Sequence, residues 1–519
     1  MEDSLFQLRQ ATIWAQPTFS PRIDTLRAMA HICCNDAGSQ RNRAGSKVKA
    51  AWAQALRLDV RAACATLKRA EQASAGLAMS AATRMEADLL WSFIAALDDD
   101  ATSALAHAEM ASGSPDPATN YVARVLSRSA LWLKGDLRGF AAHQAETSPT
   151  TKGRRVQVAK FAQRSMEAAT EFQQLRLPMA ERMARRVIEQ ADRLAGCEDT
   201  TLLPELVLAQ LDYEKGNLAE ADSAVRAVLP RVRVAGIAEL AVRAYTTLAS
   251  CAIQQGRNEF ATLVLREGQM LGEERGWRRL IAACLALRIS MLVDCGRFVD
   301  AQGVADKLTR LYPSVDHSAC PRAVTVFIEL VRCELAIATG AGADAIPALR
   351  AMMAEALARG DMLSGVKLGL RLTAAMATAR DDHAARTTLL NLIAVGCEVG
   401  LFQTFVEAGA AVRDVLVAMQ GKLGAPHLDD YAEALLDHWQ GSVVEARISK
   451  GEKRSEGLLT PRERDVLHHM SLGQSNKVIA MHLGIAPETV KSHAKNIFFR
   501  LGSSNRTEAV SRAVSLGMV

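Results

Sequence analysis

The stretch LDYEKGNLAEADSAV (211–225) sets a pattern that much of the chain repeats. A helical segment ends at Gly216, a short polar turn follows, and a second helix starts with Ala221 facing its neighbour. The same outline recurs in ASCAIQQGRNEFATLVL (249–265) with Gly256 and Ala261, and in SMLVDCGRFVDAQGV (290–304) with Gly296 and Ala301. ELAIATGAGADAIPAL (334–349) supplies Gly340 and Ala345. Weaker copies keep phase at Arg57 with Ala62, Leu97, Gly135, Leu175 with Ala180, and Asp381. Successive landmarks lie 38 to 44 residues apart. A sustained period of that length specifies a helical solenoid, one antiparallel helix pair per unit. Glycine at the clearer breaks provides the left-handed end of the first helix. The alanine that follows lets the second helix pack closely on the first.

Composition agrees. Of the 519 residues, 49% are hydrophobic but only 5% aromatic, so Ala, Leu and Val must make the core. Small, helix-favouring residues without large rings suit helix-on-helix layers, and the expected fold class is all-α. The ten cysteines are scattered, with no C-x-x-C pair, which points to buried free thiols in a reducing compartment; the adjacent Cys33 and Cys34 carry no charged neighbour that would activate them. No stretch approaches the run of about 20 apolar residues that crosses a bilayer, and the N-terminal MEDSLFQLRQ lacks the pattern of a signal peptide. No membrane association is expected, and the location expected is cytoplasmic, with the nucleoid as the site when DNA is bound.

The net charge of +5 is unevenly placed. From 457 to 519 eight Lys and Arg face four Asp and Glu, so +4 of it sits in the last eighth of the sequence. That is the footprint of a polyanion partner. The polar stretch ISKGEKRSEG (448–457) reads as a solvated linker, which divides the chain into a repeat region at 1–447 and a C-terminal unit at 458–519. In LLTPRERDVLHHM, Thr460, Pro461 and Glu463 stand in the order of N-cap, first-turn proline and capping-box acid. Ser475 starts a second helix that turns Val478, Ile479 and Leu483 inward, with Ala480 at a close crossing. Gly484 opens a tight turn, Ile485 fills the gap between helices, and Pro487 begins a third helix. That helix buries Val490, Ile497 and Leu501 and exposes Thr489, Lys491, Ser492, Lys495 and Asn496. Asn505 caps a fourth, bearing the apolar Ala509, Val510, Ala513 and Val514. A capped helix, a tight turn and a helix with a polar, basic outer face make a helix-turn-helix that fits the major groove of double-stranded DNA.

The combination L-T-x-R-E, S-N-K-x-I-A, T-V-K-x-H and N-R-T-x-A-V resembles the LuxR-type (GerE or FixJ) DNA-binding domain across 458–519. The resemblance implies base contacts from Lys491, Ser492 and Lys495. It implies backbone or positioning contacts from Ser475, Asn476, Lys477, Thr489, His493 and Asn496. It makes the fourth helix, through Ala509, Val510, Ala513 and Val514, the surface on which a homodimer forms on DNA. Ala486 departs from the family, which usually places a capping residue there; the missing cap is worth about 1 kcal/mol. His468 and His469 read as surface residues of the first helix rather than ligands.

The order of small residue, aromatic or leucine, glycine and alanine in the long region resembles tetratricopeptide repeats, although those units are usually shorter. A repeat superhelix directly before a LuxR-type domain resembles the MalT-like regulators. Those begin with a nucleotide-binding module bearing G-x-x-x-x-G-K-[ST], and the nearest approach here, GSQRNRAGSK (38–47), has the wrong spacing and no lysine in place. Neither a receiver domain nor an aromatic-rich autoinducer pocket fits the pattern. No nucleophile–base, metal or cofactor constellation is visible, so the expectation is a non-enzymatic, sequence-specific transcriptional regulator without cofactor or metal. Its repeat region would sense a small effector or a protein partner. The alternative is a protein–protein adaptor with accessory DNA binding.

Overall fold

The computed structural model describes residues 43–55, 59–73, 79–143, 154–193, 198–312, 322–448, 459, 461–500 and 505–515. Every regular element among them is helical. The repeat region starts with α1 (Arg43–Ala55) and α2 (Val60–Ala73), then α3 (Ala81–Leu97) and α4 (Ala101–Ala111). Next come α5 (Pro117–Leu133) with the short α6 (Leu137–Ala142), and α7 (Arg154–Gln173) with α8 (Leu177–Ala191). The central pairs are α9 (Leu202–Glu214) with α10 (Leu218–Ala235), and α11 (Ala238–Gln254) with α12 (Asn258–Arg275). They are followed by α13 (Arg278–Asp294) with α14 (Phe298–Leu311), α15 (Arg322–Ala338) with α16 (Gly342–Arg359), and α17 (Met362–Thr378) with α18 (Asp382–Val399).

The turn within each pair falls where the sequence marks it. Gly216, Gly256 and Gly296 sit at φ +80°, +69° and +70°, a region that costs an L side chain roughly 1–2 kcal/mol. Three units carry that cost: Asp99, Leu175 and Arg380 hold the same conformation at φ +61° to +62°. Leu175 is the expected landmark; Asp99 and Arg380 correct Leu97 and Asp381 by two residues and one, because only the left-handed residue fixes the phase. The first landmark, Arg57, lies outside the described residues, and at its partner helix Ala63 is fully buried while Ala62 is half-exposed. Ala180, Ala221, Ala261 and Ala301 are all fully buried at the close crossing that each was expected to make. In α8 the buried set Leu177, Ala180, Ala184, Val187 and Ala191 follows the three-four spacing of one helix face.

A simple solenoid touches only its neighbours. This one curls until distant turns meet. The Trp277 indole donates to the Leu97 carbonyl at 2.8 Å, and Arg279 Nη2 lies 2.6 Å from Asp99 Oδ1. Arg279 also reaches Glu239 at 2.9 Å, and Glu239 in turn accepts from Arg243 at 2.7 Å. Burial opposes the Glu239 charge, but Arg243 and Arg279 hold its carboxyl below the usual range. A second closure joins α5–α6 to α16: Arg359 donates to the Lys134 carbonyl at 3.0 Å and Arg138 to that of Leu357 at 3.4 Å.

After α18 the pair pattern lapses into α19 (Gln403–Val406), α20 (Gly409–Met419) and the long α21 (Pro426–Ile448). The Trp439 indole donates to the Val406 carbonyl at 2.9 Å, and the Tyr431 hydroxyl donates to that of Leu401. The expected linker, apart from Ile448 at the end of α21, lies outside the described residues, as do Cys33 and Cys34. The C-terminal unit holds α22 (Pro461–Ser471), α23 (Asn476–Leu483), α24 (Pro487–Arg500) and α25 (Arg506–Ser515) around its own core of Val466, Leu467, Ile479, Val490 and Ile497. Among the described residues no helix is long and apolar enough to cross a membrane.

Candidate nucleic-acid interface and central cavity

In the C-terminal unit the turn between α23 and α24 is built as expected. Gly484 closes α23 at φ +65°, the Ile485 amide bonds the Ala480 carbonyl at 3.0 Å, and Pro487 opens α24. Ser475 occupies the N-cap position of α23, but its hydroxyl accepts no capping hydrogen bond and it is exposed. Thr460, the expected cap of α22, lies outside the described residues.

Along α24, Val490, Ala494 and Ile497 face the core, which turns the opposite side outward. Lys491 and Lys495 are exposed one turn apart on that side, and Ser492, Thr489 and Asn496 are half-buried. Lys477 is exposed on α23. His493 does not join them: it is 6% exposed, with Nε2 3.9 Å from Asp430 Oδ2 on α21. Helix α24 therefore packs against the repeat region, through α21.

The fourth helix packs closely on its own domain. Ala509 and Ala513 are fully buried inside the domain's own core, Val510 packs half-buried against it, and the side chain of Val514 is outside the described set. Small residues there serve close packing of α25 on α22 and α24. Arg506, the arginine of N-R-T-x-A-V to which no role was assigned, ties the unit together. Its guanidinium donates to the carbonyls of Met470 at 3.1 Å and Gln474 at 2.6 Å and lies 3.4 Å from Asn476 Oδ1. A long-range donor to main-chain carbonyls leaves no spacing signature. His468 is exposed, while His469 bonds Gln474 at 2.8 Å and stacks on His482, so both stay on the outer side of α22.

The concave side of the superhelix encloses a cavity of about 560 Å³. Its apolar walls include Phe172, Ile253, Leu287, Phe327 and Leu363. Its charged groups are Glu214, Asp294, Glu334 and Glu407, with Lys367 and Arg371 as the cations. Arg371 and Glu334 pair at 2.8 Å, and the Tyr213 hydroxyl donates to Glu407. Glu214, fully enclosed, accepts from the Thr404 amide at 3.1 Å and hydroxyl at 2.7 Å; burial raises its pKa. Asp294 is pushed up to about 6 by desolvation and then by the Glu334 and Glu407 carboxylates, with Arg371 opposing. Among the described residues no cluster of His, Cys, Asp and Glu is arranged to hold a metal ion.

Residues 457–513 match the family described as bacterial regulatory proteins, luxR family. A putative HTH-type transcriptional regulator of Mycobacterium bovis is 28% identical over 158 residues, 30% of this chain and 18% of that protein. The uncharacterized transcriptional regulatory protein YvfU of Bacillus subtilis is 31% identical over 132 residues, 25% of this chain and 66% of that one. The CsgBAC operon transcriptional regulatory protein of Escherichia coli is 46% identical over 56 residues, 11% of this chain and 26% of that one. This chain thus spans less than a fifth of the mycobacterial relative's length. Among solved structures, a Rap protein complexed with competence and sporulation factor overlaps 69% of this chain and 98% of its own, at a TM-score of 0.49 and 10% identity. That overlap carries no functional argument.

Proposed function

Starting from a LuxR-family DNA-binding domain at 457–513, we propose that this chain is a sequence-specific transcriptional regulator whose repeat region receives an effector. The observation that carries the DNA-binding half is the exposure of Lys491 and Lys495, one turn apart on the outer side of α24, with Ser492 between them. Lysine donates to guanine O6 and N7 in the major groove, and serine bonds base edges or phosphates. Ser475 and Lys477, exposed at the start of α23, would meet the phosphate backbone, which sets register rather than sequence. Asn476 is steadied by Arg506. Two copies paired through α25 would use Val510, since Ala509 and Ala513 are inside the domain.

The central cavity supports the sensing half. It is concave, largely apolar and of ligand size. Four carboxylates against two cations favour an apolar ligand bearing a positively charged amino or guanidinium group. Mobility shifts of the full chain against genomic fragments test the proposal, with and without cell extract as a source of effector. Retardation of a discrete set of fragments is expected. Uniform or absent retardation under both conditions refutes sequence-specific binding and leaves the adaptor function.

A further inference from the structure

Six charged side chains line the central cavity, and four of them are already engaged. Both Glu334 oxygens are taken, one by Arg371 at 2.8 Å and the other by the Ser290 hydroxyl at 2.5 Å. Both Glu214 oxygens accept from Thr404, and Glu407 accepts from the Tyr213 hydroxyl. Among the described residues, Asp294 and Lys367 make no hydrogen bond or ion pair through their side chains. The charges left for a ligand are therefore one anion and one cation.

Asp294 is exposed, yet the walls around it strip enough of its hydration to push its carboxyl up to about 6. It stands in the space of the cavity rather than in open solvent. Lys367 is half-buried on α17. Charges enclosed in this way interact more strongly with a partner than charges in bulk water, because the local dielectric is lower. The two also stand apart. Lys367 and Arg371 are one turn from each other on α17. Asp294 lies on the Arg371 side: Glu334, Arg371 and Glu407 act on its carboxyl, and Lys367 does not. Lys367 acts instead on Glu214. A single α-amino acid carries its ammonium and carboxylate on one carbon, so it would reach only one of the two charges. The wall around them is largely apolar, and Phe298, 44% exposed, extends it toward solvent.

We propose that the cavity binds an elongated zwitterion, with its ammonium on Asp294, its carboxylate on Lys367 and an apolar body along the wall. This is the chemistry of a short apolar peptide with free termini, or of an ω-amino acid. It rests on the sensing cavity proposed above and narrows its ligand from an apolar cation to one that also carries a carboxylate.

The test is isothermal titration calorimetry of the full chain above pH 7, where Asp294 is ionised. Four forms of the tripeptide Phe-Leu-Phe serve as probes: free at both ends, N-acetylated, C-amidated, and blocked at both ends. The fifth probe is ω-aminooctanoic acid. Each block is expected to weaken binding at least about tenfold, the low end for a hydrogen bond to a charged group. Asp294→Asn should weaken the free peptide by the same factor and leave the N-acetylated form unchanged. Lys367→Met should weaken the free peptide likewise and leave the C-amidated form unchanged. Neither side chain is bonded to another, so both variants should fold as the parent does, which circular dichroism checks. Tighter binding of ω-aminooctanoic acid than of the tripeptide, with the same dependence on both residues, upholds the proposal with the ω-amino acid as the source; the reverse order upholds it with the peptide. A C-amidated peptide that binds as tightly as the free one, weakened by Asp294→Asn but not by Lys367→Met, overturns the zwitterion and leaves the cationic ligand. Losses that ignore which terminus is blocked overturn the assignment of the two residues. No binding of any probe at millimolar concentration, by heat or by a shift in thermal unfolding, overturns both readings of the cavity.

Discussion

Replacing Arg279 with methionine tests whether the superhelix is closed by the clasp at Asp99. The guanidinium reaches Asp99 and Glu239, and the side chains of all three are 5% to 16% exposed. Methionine fills similar volume but carries no charge. Glu239 retains Arg243 at 2.7 Å, whereas Asp99, in a left-handed turn, loses its bidentate partner. Removing one partner of a buried pair costs about 3–5 kcal/mol, chiefly because the remaining charge has no water to return to. With a urea slope of about 3 kcal/mol per M, that moves the unfolding midpoint down by roughly 1–2 M. Far-ultraviolet circular dichroism in urea reads it. Asp99→Asn in the same chain removes the orphaned charge while tolerating the left-handed backbone. The double variant should therefore be more stable than the two separate losses summed, by about 0.5–3 kcal/mol. A single-variant loss under about 1 kcal/mol, or strict additivity, refutes the clasp as a source of stability.

Lys491→Ala and Lys495→Ala should each weaken specific DNA binding by about 1–3 kcal/mol if they read bases; a residue that touches only phosphate would instead lower the salt slope by about 1, with all sequences affected alike. A titration of affinity against salt distinguishes the two, and no change in either quantity refutes the placement of α24 in the groove. Arg380→Gly should stabilise the fold by up to about 1 kcal/mol, because the exposed arginine holds φ +61° and gains little from burial; a loss in thermal unfolding would contradict that. Desolvation at the cavity and the Glu334 and Glu407 carboxylates push Asp294 up to about 6, against about 3.9 when unfolded, so the fold favours its protonated form. Its stabilising effect is present below pH 4 and is lost as pH climbs to 6, so Asp294→Asn should raise thermal stability above the parent at pH 7–8 and approach parity at pH 4. An advantage that is independent of pH would refute the assignment.

The repeat was legible because its turns demand a left-handed residue, and glycine advertises that demand at 135, 216, 256, 296 and 340. Where Asp99, Leu175 and Arg380 meet it with side chains attached, the sequence offers only phase, and the landmark drifts by a residue or two. The helix-turn-helix was legible for a similar reason: Gly484, Pro487 and the core spacing of α24 are local. What the sequence did not disclose is made between distant segments. Nothing near Trp277 or Asp99 in sequence announces that 180 residues are bridged, and Asp430 reads as one more acid on a helix surface. A small apolar residue such as Ala509 or Ala513 serves equally well inside a domain and between two copies, so its sequence position alone does not distinguish the two.

The two closures, at Trp277–Leu97 and at Arg359–Lys134, change what kind of mechanical object the repeat region is. An open helical array is a spring: force or ligand at one point is absorbed as small changes of pitch at every unit. Fastening turns far apart in sequence makes a hoop, in which pitch can no longer vary freely. The irregular α19–α21 segment lies beyond the last paired unit and outside both closures, and the C-terminal unit packs on it through α21.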